Sequence, residues 1–361
     1  HQMARGPRVL LLVVVALLAG CAGGGAAPTP FPTRPAVRAE PGLPWPTDGW
    51  QTADPAAQGV DAGKLAAMLD DIRANLPGLR SVLVIRHGYI VSETYFGTAT
   101  ADQARELYSV TKSFIATLIG IAQDQGIVPA VDTPIADLLP AERLGQLDAA
   151  KRGITLQDTL TMRMGLGWNE TDWGYVGVLR AEDSVQYMFN LPLQDPPGTQ
   201  FLYCSGCSHV LSAIIQARTG QTAADFAADN LFAPLGIRDV TWEASNDGTT
   251  LGGWGLKLTP REMAKLGYLY LHEGAWDGRQ VVSPEWVQAA TTQQTATDGE
   301  LGYGYQWWIH PRLGGYAALG RGGQMVYVAP EKDLVFVATA DDLDHGPLWR
   351  LVEEYVLPAI Q

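Results

Sequence analysis

A chain of 361 residues, 47% of them apolar and 17% charged, is long enough for one large domain or two average ones and can bury a substantial core. Its formal charge of −13 excludes nucleic acid as a partner, because phosphate binding needs a basic face. With 11 Trp, 40 Gly and 23 Pro it reads as a loop-rich enzyme, not as a coiled coil or a disordered chain.

At the N-terminal end, Arg5 and Arg8 precede the apolar run Val9 to Leu18, which is too short to span a membrane comfortably and reads as a signal peptide. Leu18-Ala19-Gly20-Cys21 resembles the bacterial lipobox. Residues 1–21 are therefore expected to direct export, with Cys21 lipidated and the protein held on a membrane at the cell surface or in the periplasm. Residues 22–45 are rich in Gly and Pro and read as a flexible tether.

Asp61 to Asn75 has helical periodicity through Leu65, Met68, Leu69 and Ile72, and Pro77-Gly78 ends it. Ser81–Arg86 and Tyr89–Tyr95 flank His87-Gly88, a hairpin signal. Ser109 then opens a helix whose apolar stripe runs through Phe114, Leu118 and Ile121 to Gly126. Helices are expected over Ile154 to Leu166 and Cys207 to Thr219, and another from Thr259 as N-cap to Gly274. Strand signals return at Tyr303–Ile309, Tyr316–Gly320, Met325–Val328 and Leu334–Ala338, and Leu348 to Val356 closes the chain as a helix. The fold class is thus α/β of the α+β kind. An antiparallel sheet built from both chain ends (46–118 and 247–361) is flanked by helices, with a mostly helical part at 119–246, all in one domain over 46–361.

Residues three apart on a helix share a face, so the Ser109 hydroxyl and the Lys112 ammonium come within reach of one another. Serine is a favoured N-cap, but a cation three residues on is wrong for a purely structural start, since the helix dipole repels it there. Such a pair needs a third group to carry protons to the leaving group, and a phenol lowered in pKa beside a lysine can do so. Tyr203, in Phe201-Leu202-Tyr203-Cys204-Ser205, is the candidate. Gly320-Arg321-Gly322-Gly323-Gln324 enters a strand and offers a backbone N–H to an oxyanion, beside the N–H of Ser109. Trp168, Trp173, Tyr175, Trp254, Trp307 and Trp308 are candidate cleft residues, although most such aromatics are core. Cys204 and Cys207 read either as a tight disulfide or as two packed thiols, and His209 as helix packing or capping. The His show no metal-ligand spacing, and no second C-x-x-C or His pair completes a zinc site with Cys204 and Cys207, so neither metal nor cofactor is expected.

These features, with Ala53-Asp54-Pro55, Leu160-Thr161-Met162, Leu258-Thr259-Pro260-Arg261-Glu262, Gly274-Ala275-Trp276-Asp277-Gly278 and Tyr303-Gly304-Tyr305-Gln306-Trp307-Trp308, resemble the serine β-lactamase and penicillin-binding protein superfamily. The likeness is to its class C-like branch of esterases and 6-aminohexanoate-dimer hydrolases, over residues 50–361. The resemblance implies a β-lactamase/transpeptidase-like fold, with Ser109 as acylated nucleophile, Lys112 as its activating partner and Tyr203 as general acid/base. It also points to Ser205, Arg321, Gly322, Gly323 and Gln324 as substrate or oxyanion residues, and Trp173, from the cleft aromatics, is added to them as a substrate-binding candidate. Ser205 stands where that superfamily has Asn, and Arg321-Gly322-Gly323 where it has Lys-Thr-Gly or His-x-Gly. A small-molecule ester or linear amide is the expected substrate. The alternatives are a peptidoglycan D,D-peptidase or β-lactamase, and a non-catalytic peptide-binding surface lipoprotein. The charge states of Lys112 and Tyr203, and the oligomeric state, stay open.

Overall fold

Strands from the two ends of the chain build one sheet. The computed structural model describes residues 42–361; the signal segment, Cys21 and the tether up to residue 41 lie outside them. Nine strands run in the spatial order Gln51–Thr52, Tyr89–Tyr95, Leu79–Arg86, Leu334–Ala340, Gln324–Ala329, Tyr316–Gly320, Trp308–Ile309, Gly302–Tyr303 and Thr295–Ala296. All pair antiparallel except Gln51–Thr52, which joins Tyr89–Tyr95 in parallel. Leu83 opposite Val337 marks the junction of the chain's two ends. His87 (φ 50°) and Gly88 (φ 79°) turn the expected hairpin with both central residues left-handed, as a type I′ turn demands.

Side chains alternate across this sheet with period 2 and feed two cores. Val82, Val84 and Phe336 join Leu65, Met68 and Ile72 of the helix Ala62–Asn75 and Leu348 and Leu351 near the C-terminus. Leu83, Ile85, Val335 and Val337 join Phe114 and Leu118 of the helix Thr111–Asp124 and Met263 and Leu266 of the helix Pro260–Leu271. The first of these helices is capped by Asp61, which accepts from Gly63 N and Lys64 N. The last begins with the expected Thr259 and Pro260, and Glu262 completes a capping box. At the edge of the domain Trp45, at the end of the stretch read as a tether, packs edge-on against Tyr268 and His272.

The helix Thr111–Asp124 is buried on every side from Thr111 to Ala122, not along one stripe, because the helix Ser205–Thr219 covers the flank away from the sheet. Each of Phe114, Ile115, Leu118, Ile119 and Ile121 contributes roughly 1.5–3 kcal/mol of burial to holding it there.

Three expected elements differ. The helix read over Ile154 to Leu166 lasts only from Leu156 to Leu160. Met162 (φ 61°) and Gly165 (φ 77°) turn the chain, and a Cβ on Gly165 would stand 2.2 Å from Asp195 O. The aromatic run Tyr303–Ile309 is not one strand. It is a hairpin of Gly302–Tyr303 with Trp308–Ile309, turned by a buried Gln306 at φ 62°, and Trp307 fills the core from the turn. Gln306 stays because its carbonyl and both side-chain polar atoms are used: the carbonyl accepts from Ser113 Oγ (2.7 Å), Oε1 accepts from Ser208 Oγ (2.6 Å) and Nε2 donates to Leu160 O (2.7 Å). The last helix starts earlier than read, at His345, and continues past Leu351 through a wide turn over Val352–Val356.

Candidate active site

Ser109 sits in a single 3₁₀ turn, Tyr108–Val110, just before the buried helix rather than at its first residue. The turn is entered through Tyr108 in a left-handed conformation (φ 47°), a strained position for a tyrosine. Glu106 holds it from below by accepting from Tyr108 N (3.1 Å) and Gly255 N (2.8 Å). Lys112 then falls in the first turn of the helix, and its Nζ lies 2.8 Å from Ser109 Oγ, 2.7 Å from Ser205 Oγ and 2.9 Å from Gly253 O.

Lys112 is 1% exposed, and that burial lowers its pKa to about 8 against an opposing pull from Glu170. Tyr203 is carried to the same place by Leu202, whose N–H donates to Met162 O (2.9 Å), and by the helix that starts at Ser205. Its ring stacks on Trp308 (5.6 Å, 27°) and lies 4.9 Å from Lys112 Nζ, and its hydroxyl is close enough to Ser109 for the two to interact. The expected lowering of the phenol is reversed. Burial raises it far above its usual range, although the neighbouring Ser109 hydroxyl opposes this, so Tyr203 holds its proton. Cys204 and Cys207 form a disulfide that closes the first turn of the helix behind Tyr203.

Ser109 and Tyr203 open into a cavity of about 520 Å³. Glu170, Asp172 and Tyr175 line it from the helical side, Trp308, Gly320 and Arg321 from the sheet, and His345 from the last helix. Gly320 is where the sheet meets the nucleophile turn, and a Cβ there would stand 2.3 Å from Leu107 O. Gly322 (φ 78°) and Gly323 (φ 94°) form the turn behind Arg321 instead of the wall. Gln324 is buried with Nε2 donating to Ala340 O (2.7 Å). Ser205 is fully buried between Lys112 and Glu170, away from the cavity lining, and Trp173 is 80% exposed beside Asp172. Trp168 and Trp307 are core, and His209 is buried with one ring nitrogen on Ser184 Oγ (2.8 Å).

The sequence reading passes over Glu170, Gly253 and His345. A carboxylate three residues before Trp173, within a stretch of aromatics, is the only local signal for the first. His345 has Nε2 3.2 Å from Gln324 O and so clips the Arg321 turn to the last helix.

Residues 35–357 match the beta-lactamase family. The chain belongs to that family. Among its relatives, the 6-aminohexanoate-dimer hydrolase of Paenarthrobacter ureafaciens is 26% identical over 79% of this chain and 79% of that protein. Esterase EstB of Burkholderia gladioli is 32% identical over 52% of this chain and 54% of its own. The solved structure of a penicillin-binding protein homologue from Caulobacter crescentus superposes with a TM-score of 0.66 at 17% identity, over 83% of this chain and 99% of that one. The chain is accordingly a serine acyl-enzyme hydrolase of the beta-lactamase family, with the mixed α/β fold and mostly antiparallel sheet expected of it.

Proposed function

We propose that this beta-lactamase-family hydrolase cleaves a small ester or linear amide, with Ser109 as nucleophile, Lys112 as general base and Tyr203 as general acid. The observation that carries the reading is the convergence of the Lys112 amine, at 2.8 Å, and the Tyr203 phenol on one hydroxyl at the edge of a cavity. Lys112 takes the Ser109 proton as Oγ attacks the substrate carbonyl, and the neutral phenol gives its proton to the leaving oxygen or nitrogen. The N–H of Ser109 and one from the edge that begins at Gly320-Arg321, both on the cavity lining, are the candidate donors to the developing oxyanion. Water then releases the acid by the reverse sequence of proton transfers. Ester or linear amide is favoured over β-lactam because Ser205, in place of an amide side chain, is taken up between Lys112 and Glu170 and does not face the substrate.

A base must be free to act, so the pH profile is set by the amine. With Lys112 at about 8, kcat/KM should rise roughly tenfold per pH unit up to pH 8 and level off above it, while Tyr203 stays protonated throughout. Stopped-flow release of p-nitrophenol from an acyl ester between pH 6 and 10 reads both the burst and this limb. A profile flat across pH 7 to 9 would remove Lys112 from the role of base. Labelling by a fluorescent penicillin, with poor ester turnover, would shift the assignment to a D,D-peptidase or β-lactamase.

The lipobox reading places the enzyme on a membrane through Cys21, and the Cys204–Cys207 disulfide supports export, since such bonds persist in oxidising compartments. Cys21→Ser should move it from the membrane fraction to the soluble one on fractionation of the expressing cells.

A further inference from the structure

Four donors converge on the carboxylate of Glu170. Its Oε2 accepts from Trp168 Nε1 and from Ser205 N (2.9 Å), and its Oε1 accepts from the Tyr175 phenol and from the Ser205 hydroxyl. A carboxylate so surrounded has no free lone pair with which to serve as a base, but it imposes direction on its neighbours. The Ser205 proton is committed to Glu170. Ser205 Oγ therefore presents only a lone pair to Lys112 Nζ, and Gly253 O, the next neighbour of the amine, is also purely an acceptor. A free-base amine has two N–H bonds and one lone pair. With both N–H bonds claimed by Ser205 and Gly253, the remaining direction meets the Ser109 hydroxyl.

We propose that Glu170 is a positioning residue of the acylation step, acting through the Ser205 hydroxyl to aim the Lys112 lone pair at Ser109. The inference rests on the assignment of Ser109 and Lys112 made above. In the step it serves, the Ser109 O–H bond breaks and its proton passes to Nζ, the Oγ–carbon bond forms, and the carbonyl pair moves onto oxygen. Of the titratable groups around Lys112, Glu170 raises the amine, the Tyr203 ring lies 4.9 Å from Nζ, and Tyr175 donates its hydroxyl to Glu170.

Glu170→Gln tests the polarity of this relay. The amide must set an NH₂ against two of the four donors. Placed toward Ser205 Oγ, which can rotate, it donates there and forces the Ser205 hydroxyl to donate to Lys112, consuming the lone pair. The acylation rate on the high-pH plateau, read as the p-nitrophenol burst, should fall roughly 10–100-fold with KM changed less than about threefold. The acid limb should move below pH 8, because the charge that raised the amine is gone. Ser205→Ala should give a similar plateau loss, and the double variant should be no worse than the poorer single one to within about twofold. Multiplicative losses in the double variant, or an acid limb that stays or moves upward, would overturn the proposal. If Glu170→Gln does not fold by circular dichroism, Ser205→Ala, which removes one oxygen, carries the test alone: an unchanged plateau refutes the relay. Intact mass separates the two levels. A wild type without a Ser109 acyl adduct removes the underlying assignment, whereas a wild type with the adduct and independent variant losses removes only the role of Glu170.

Discussion

Ser109→Ala will leave the protein folded and eliminate the burst, lowering kcat by about 10⁴-fold or more while substrate still enters the cavity. The substitution removes one oxygen from a turn whose shape depends on Leu107, Glu106 and Gly255, so circular dichroism and thermal unfolding should match the wild type. Brief exposure to a p-nitrophenyl acyl ester should add one acyl mass to the wild type and none to the variant. An adduct that persists in Ser109→Ala would mean that another nucleophile reacts, and retained turnover would sink the acyl-serine mechanism for this chain.

Lys112→Met will cost activity on a similar scale and will also change the pH dependence of stability. The folded-state pKa of Lys112, about 8, lies below its unfolded value near 10.5, so between these pH values the unfolded chain binds more protons than the folded one. Stability contributed at this residue therefore rises as pH climbs from 8 to 10.5, by about 3 kcal/mol. Lys265 and the buried tyrosines titrate as well, but they are common to both proteins and cancel in the difference curve. Urea unfolding at pH 7.5 and pH 10, with wild type and Lys112→Met compared at each, should show a gap that widens in favour of the wild type at the higher pH. A gap independent of pH would mean that the amine is not desolvated as its 1% exposure implies.

What was legible in the chain was whatever is encoded within one turn or one strand. Ser109 and Lys112 are three residues apart, and the hairpin at His87-Gly88 and the Thr259-Pro260 helix start are local chemistry, so each could be read without the fold. Glu170 could not, because its meaning lies in a contact 35 residues away at Ser205. Gly253 acts through a carbonyl 141 residues from Lys112, and no side chain announces it. The Tyr203 phenol departs from its sequence expectation for the same reason. The neighbouring lysine was visible in the sequence, but the burial that outweighs it was not. Aromatic-rich Tyr303–Ile309 read as a strand because its residues suit one. The turn at Gln306 is chosen by hydrogen bonds to three distant segments that no local propensity contains.

The helix Thr111–Asp124, enclosed on all sides, has a bearing on how this enzyme fails when heated. An element with no solvent-facing flank has no route to partial opening, so its amides exchange with solvent only when the whole domain unfolds. Lys112 rides on that element, whereas Glu170 precedes the short, partly exposed helix Asp172–Arg180, which bears the 80% exposed Trp173. Warming is therefore expected to loosen the segment around Glu170 before the helix that carries Lys112. On the proposed role of Glu170, activity lost below the melting temperature should therefore be recovered on cooling, with the far-ultraviolet circular dichroism unchanged throughout.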